Sequence, residues 1–156
     1  MVCPNKSSVY GQFMPDDIHV DRTKNSALDT LKQKLDVSGV DYVIPDAEFR
    51  KKAEEEQIYN LKYDSAHWND LGAFYGMTLL DKKIAESHPD IPVISGESFS
   101  LDYREENLEL SSLPIKETIP VLTYQGAPAL SDGENRKDVS VLAGNNMAYF
   151  YNENAP

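Results

Sequence analysis

Basic residues, cysteine and long apolar runs are all scarce in this chain of 156 residues, and each scarcity closes off a class of function. Fifteen Lys and Arg stand against 26 Asp and Glu, a formal net charge of −11. Neutralising phosphates needs clustered cations, and the sequence has none, which excludes nucleic acid as a partner. The same sign opposes docking on an anionic membrane surface. Cys3 is the only cysteine, so an intrachain disulfide and a thiolate metal cage are both ruled out. No segment reaches the roughly 20 apolar residues of a membrane-spanning helix, and none reads as a signal peptide. What is present is an acidic chain, 40% hydrophobic and 10% aromatic. That is lean for a globular domain but too aromatic for a solvated, disordered one. The length suits a single domain that can bury a core.

Met1-Val2-Cys3-Pro4 opens directly on apolar residues and reads as a buried strand, where a domain more often starts with a polar, frayed end. Met147-Ala148-Tyr149-Phe150-Tyr151 is apolar again shortly before Pro156, so both ends read as cuts within a larger domain. Turn residues make 5–21 a loop. Ser26, with Asp29 three residues on, predicts a capped helix that carries Leu28, Leu31 and Leu35 on one face and ends at Gly39. Residues 40–44 read as a strand stopped by Pro45, and Asp46 as the cap of a second helix running to about residue 59. Strand, helix, strand, helix in this order predicts a parallel α/β sheet. Asn69 or Asp70 caps the strongest helix, whose buried stripe is Leu71, Phe74, Tyr75, Thr78, Leu79 and Ile84 and which stops before Pro89. Gly72 and Gly76 lie on one side of it and predict close approach of a neighbouring backbone rather than a dimer motif. Beyond residue 91 the pattern changes to short strand-like pieces at 93–94, 99–103, 118–124 and 139–143, separated by Pro, Gly and acidic turns. The expectation is one domain over 1–156, α/β across 1–90 and strand-and-loop across 91–156.

Asp64 and His67 are the pair best suited to chemistry. A catalytic imidazole takes a proton from a nucleophile and returns it, and a carboxylate at its far nitrogen fixes the tautomer. Trp68 would wall such a site, and the helix that follows would anchor it. A bare Asp-x-x-His is more often a turn aspartate beside a packing histidine. The longer string shifts that balance. Tyr63-Asp64-Ser65-Ala66-His67-Trp68-Asn69-Asp70-Leu71-Gly72-Ala73-Phe74 resembles the Asp/His-Trp-Asn…Gly-Ala segment of the alginate O-acetyltransferase-like branch of the SGNH hydrolase superfamily. The opening Pro4-Asn5-Lys6-Ser7-Ser8-Val9-Tyr10, with Met14-Pro15 after it, is similar to the start of that branch. Asn146-Met147-Ala148-Tyr149-Phe150-Tyr151-Asn152 is similar, more loosely, to the stretch before its nucleophile strand.

The resemblance implies a flavodoxin-like, SGNH-type three-layer α/β sandwich, here incomplete. It makes His67 the general base and Asp64 its orienting acid, with the serine nucleophile on a later Gly-Asp-Ser turn expected just beyond Pro156. The branch mostly has one residue between acid and base. Two stand between Asp64 and His67, as in unpermuted SGNH enzymes, which leaves Asp70 as the alternative acid. Tyr63, Trp68 and Asn69 are the implied substrate neighbours. The implied partner is a polysaccharide or small acetylated carbohydrate, with a membrane acyl-donor protein as a further candidate. No cofactor is called for, and the implied location is the cell envelope, outside the cytoplasm.

Ser98, in Gly96-Glu97-Ser98, is the competing nucleophile within the chain, but the residues after it lack the apolar stripe of the helix that a nucleophile turn needs. Lys6 follows an expected strand end, where α/β sheets place ligand contacts, although a lysine there is more often simply solvated. His19 and His88 read as surface residues, and no set of residues reads as a metal site. The runs at 54–56 and 104–106 read as solvated faces. A second reading keeps the fold without the chemistry: a carbohydrate-binding or assembly domain with Tyr63, Trp68, Tyr75 and Tyr103 as a stacking surface.

Overall fold

The computed structural model describes residues 1–18, 26–62, 66–91, 93, 95–108 and 114–125. The chain divides into two compact units, Met1–Tyr124 and Gln125–Pro156, and all described residues but Gln125 belong to the first. That unit mixes helix and strand. Its helices are α1 (Lys6–Val9), α2 (Ala27–Ser38), α3 (Asp46–Lys52) and α4 (Asp70–Ser87), followed by the strands β1 (Phe99–Leu108) and β2 (Ile115–Tyr124). Among the described residues no helix is long and apolar enough to cross a membrane.

Local chemistry sets the helix ends. Ser26 Oγ accepts from Asp29 N at 3.1 Å, and Asp29 Oδ2 accepts from Ser26 N at 2.9 Å, so two orphan amides at the start of α2 are satisfied reciprocally. Gly39, at φ 68°, ends the helix in the left-handed region that a side chain rarely adopts. Asn69 caps α4 by accepting from Gly72 N. The second helix is shorter than its sequence predicts. Pro45, not Asp46, is the cap of α3, and the helix ends at Lys52. Three successive glutamates, 54–56, would face the negative end of its dipole, whereas Arg50, Lys51 and Lys52 complement that end. Ile58 and Tyr59 leave the helical path to become fully buried, and Tyr59 bridges Trp68 in an antiparallel pair.

The predicted parallel sheet does not form among the described residues. The segments at 1–4 and 40–44 touch through one bond, Val2 N to Val43 O at 2.9 Å, and make no ladder. A parallel sheet needs cover on both faces, and here Met1 and Val40 are exposed and only Pro4 of the opening tetrapeptide is buried. The sheet that does form is an antiparallel pair in the C-terminal half, from Phe99 opposite Tyr124 to Leu108 opposite Ile115. Both strands run longer than expected. Arg104 and Glu105 extend β1 as an exposed edge instead of ending it, the charged edge that discourages further strand pairing. Val93 lies outside any strand. The piece expected at 139–143 lies outside the described residues, as do Ile94 and the apolar run at 147–151.

The core is Val9, Tyr10, Phe49, Ile58, Tyr59 and Leu71, with Ala53, Trp68, Tyr75 and Leu122 packed against it. Phe49 lies 5.6 Å from Trp68 and 6.3 Å from Tyr59 between ring centroids. Of the stripe expected on α4 only Leu71 is fully buried. Gly72 and Gly76 are buried with it and carry the Ile58 backbone and the Trp68 ring against the helix. Close packing at these two glycines is what their spacing predicts.

Asp46 has a different role from capping. Its carboxylate receives Lys32 Nζ at 2.7 Å and Arg50 at 2.5 Å, tying α2 to α3. Burial pushes its carboxyl up, but the Arg50 and Lys32 bonds outweigh this and hold it below its ordinary value. A carboxyl lowered by folding stabilises the fold above its unfolded value of about 3.9, and that contribution is lost as pH falls through the folded value. Acid titration of wild type and Asp46→Asn by circular dichroism is expected to show that the variant lacks part of the stability slope below about pH 4. Parallel curves below that pH would refute the assignment.

Candidate functional site

Residues 57–62 are held by side chains from both ends of the unit, Lys6 and Tyr10 near its start and Glu117 on β2. Lys6 Nζ donates to the carbonyls of Asn60 at 2.6 Å and Leu61 at 3.1 Å. From β2, the Glu117 carboxylate accepts from Leu61 N at 2.5 Å, Lys62 N at 2.9 Å and Gln57 Nε2 at 2.8 Å. Lys62 Nζ in turn reaches Lys116 O at 3.2 Å. Upstream, Ile58 N donates to Tyr10 Oη at 3.2 Å, and Tyr59 Oη donates to Pro4 O at 2.6 Å. Burial raises the Tyr59 hydroxyl far above its ordinary value, so it stays a neutral donor.

After His67, Asn69 closes the arrangement. Its Nδ2 donates to Gln57 O at 2.7 Å and its backbone N to Ile58 O at 3.1 Å, while its Oδ1 caps α4. Bracing on one side therefore reaches Lys62, and on the other Trp68 bridges Tyr59. His67 is exposed, one residue before Trp68. An imidazole presented to solvent beside braced residues can exchange protons with a bound substrate without carrying the core with it.

The other residues singled out by sequence fall in several places. Asp64 and Tyr63 lie outside the described residues. Asp70 is exposed, and its Oδ2 accepts from Leu122 N at 3.0 Å, which gives this alternative acid a partner on β2. Trp68 is half-buried against Phe49 and Gly76. Asn69 is only 6% exposed and uses both ends of its amide inside the chain. Lys6 is half-buried and engages backbone carbonyls. Ser98 closes a 3₁₀ turn, Gly96–Ser98, that runs straight into β1.

Of the aromatic set proposed for sugar stacking, Tyr75 is half-buried, hydrogen-bonded to Glu56 and covered by Lys52 Nζ at 4.6 Å from its ring centre. Tyr103 is the member of that set most open among the described residues, at 66%. Among the described residues no three His, Cys, Asp or Glu side chains gather as a metal site.

Glu117 is the residue that sequence reasoning missed. Its signal is periodicity: it shares a face of β2 with Ile119, which is buried, so a carboxylate stands where alternation places an apolar residue. No family model, no curated protein and no solved structure matches the chain.

Proposed function

We propose that this chain supplies the acid–base pair of a Ser-His-Asp acyl-transfer site of the permuted SGNH type, on a flavodoxin-like α/β fold. His67 takes the proton from a serine hydroxyl as it attacks an acetyl carbonyl, then returns it to the departing or accepting oxygen. Asp64 holds the imidazole tautomer, and backbone amides stabilise the oxyanion. The serine belongs to a Gly-Asp-Ser turn that follows these residues in chain order. The substrates are hydroxyls, or O-acetyl groups, of a cell-surface polysaccharide outside the cytoplasm.

The observation that carries this reading is the exposed His67, with Leu61 and Lys62 braced before it and the Asn69 cap after it, inside the string 63–74 that resembles the family. The mix of helices and strands supports the α/β class.

The acid partner is tested by Asp64→Asn in the gene product that carries this chain, with a chromogenic acetyl ester as substrate. The expected result is a fall in kcat of about 10⁴-fold, the loss seen when an orienting carboxylate is made neutral. Asp70→Asn is expected to leave kcat within about threefold, since that carboxylate serves Leu122 N. A large fall confined to Asp70→Asn would transfer the acid role to it. Full activity in both would defeat the triad.

A further inference from the structure

We infer that Lys6 and Glu117 are positioning residues, a clamp of opposite charges on residues 60–62 that governs how His67 is presented; this deepens, and rests on, the acid–base pair proposed above. The two side chains take hold of the same two peptide units, 60–61 and 61–62, one by the carbonyls and the other by the amides. The Lys6 ammonium binds the carbonyls of Asn60 and Leu61, and the Glu117 carboxylate binds the amides of Leu61 and Lys62. Bonds to an ionised partner are the stronger kind, and at Glu117, 5% exposed, solvent competes little for them.

Residue 62 stands five positions before His67, so what fixes its amide limits where His67 can be presented. The chain after His67 is held separately, by the Tyr59–Trp68 bridge and the Asn69 cap. With residues 61 and 62 released, His67 loses its upstream anchor even if the core is intact. A carboxylate that only fastened β2 to the body would not have this consequence.

The test is nitrogen-15 NMR on the 156-residue chain, comparing wild type with Lys6→Met, Glu117→Gln and Asp64→Asn. In Lys6→Met and Glu117→Gln, exchange at the Leu61 and Lys62 amides is expected to quicken by about tenfold or more. The His67 ring nitrogen signals are expected to shift, while the Phe49 and Leu71 amides keep their protection. Faster exchange at 61 and 62 with an unmoved His67 ring would overturn the proposal and leave a fastening role only. Loss of core protection in both variants would overturn it as well, by making the two side chains supports of the whole fold. Asp64→Asn separates the two levels. If it leaves the ring signals in place while the clamp variants move them, the clamp stands and the Asp64–His67 pairing falls. If it moves them and the clamp variants do not, the pairing stands and the clamp falls.

Discussion

Gly72→Ala is expected to destabilise the fold by about 3 kcal/mol, at the upper end of overpacking costs and opposite in sign to the usual effect of this change in a helix. At an exposed helical position the same change gains roughly 1 kcal/mol, because alanine has less backbone freedom to lose. Here the new methyl would overlap the Ile58 carbonyl oxygen and lie 2.7 Å from Trp68 Cβ. The first obstacle is backbone, held in place by the Asn69 amide, and cannot swing away. Gly76→Ala is the control. Its methyl would meet Trp68 ring atoms at 3.0 Å, and a ring tip can tilt where a peptide cannot. Its expected cost is about 1 kcal/mol or less. Urea titrations of the two variants measure the contrast. Equal midpoints would mean that α4 does not lie on the 58–60 segment as described.

The largest functional effect is expected at His67. In the gene product that carries this chain, His67→Ala should lower kcat toward acetyl esters by about 10⁴-fold or more and leave KM within roughly threefold, since the imidazole acts on a proton in transit. Because His67 is exposed, the same variant should unfold within about 0.5 kcal/mol of wild type, so lost activity cannot be put down to lost fold. The 156 residues by themselves are expected to give no turnover above background. Ser98 has a 3₁₀ turn before it and a strand after it, and so lacks the helix N-terminus whose amides would receive an oxyanion. Turnover by the 156 residues, abolished by both Ser98→Ala and His67→Ala, would overturn this and make Ser98 the nucleophile.

Features of the chain decided within a few residues could be read from sequence. The Ser26–Asp29 capping box, the stop at Gly39, the start of α4 and the purpose of Gly72 and Gly76 each depend on neighbours at fixed short spacing. Features decided at long range could not. The predicted parallel sheet assumed that apolar runs at 1–4 and 40–44 would be covered on both faces, and Val40, 59% exposed, shows that they are not. The second helix was expected to reach residue 59, but Ile58 and Tyr59 are drawn out of helical register by the bridge to Trp68. Within the candidate site, His67 and Asn69 could be picked out by spacing, although the amide of Asn69 turned out to serve the chain itself. Lys6 reads from sequence as a solvated lysine or, less often, a ligand contact, because its backbone partners lie more than fifty positions away. Glu117 was passed over because a single acid in a strand reads as a solvated face until the residue it braces is known.

The hydrogen bonds from Glu117 and Asp70 to their distant partners also carry a statement about time. A contact between positions this far apart in sequence closes a long loop, and loops of that length close late in folding because the chain entropy is spent before the bond returns anything. Helices α2 and α3 can form from their own neighbours, whereas the Leu61 and Lys62 amides gain their acceptor only when β2 docks. The order of events is thus written into the connectivity: helices first, strand pair second, and the bracing of residues 61 and 62 last.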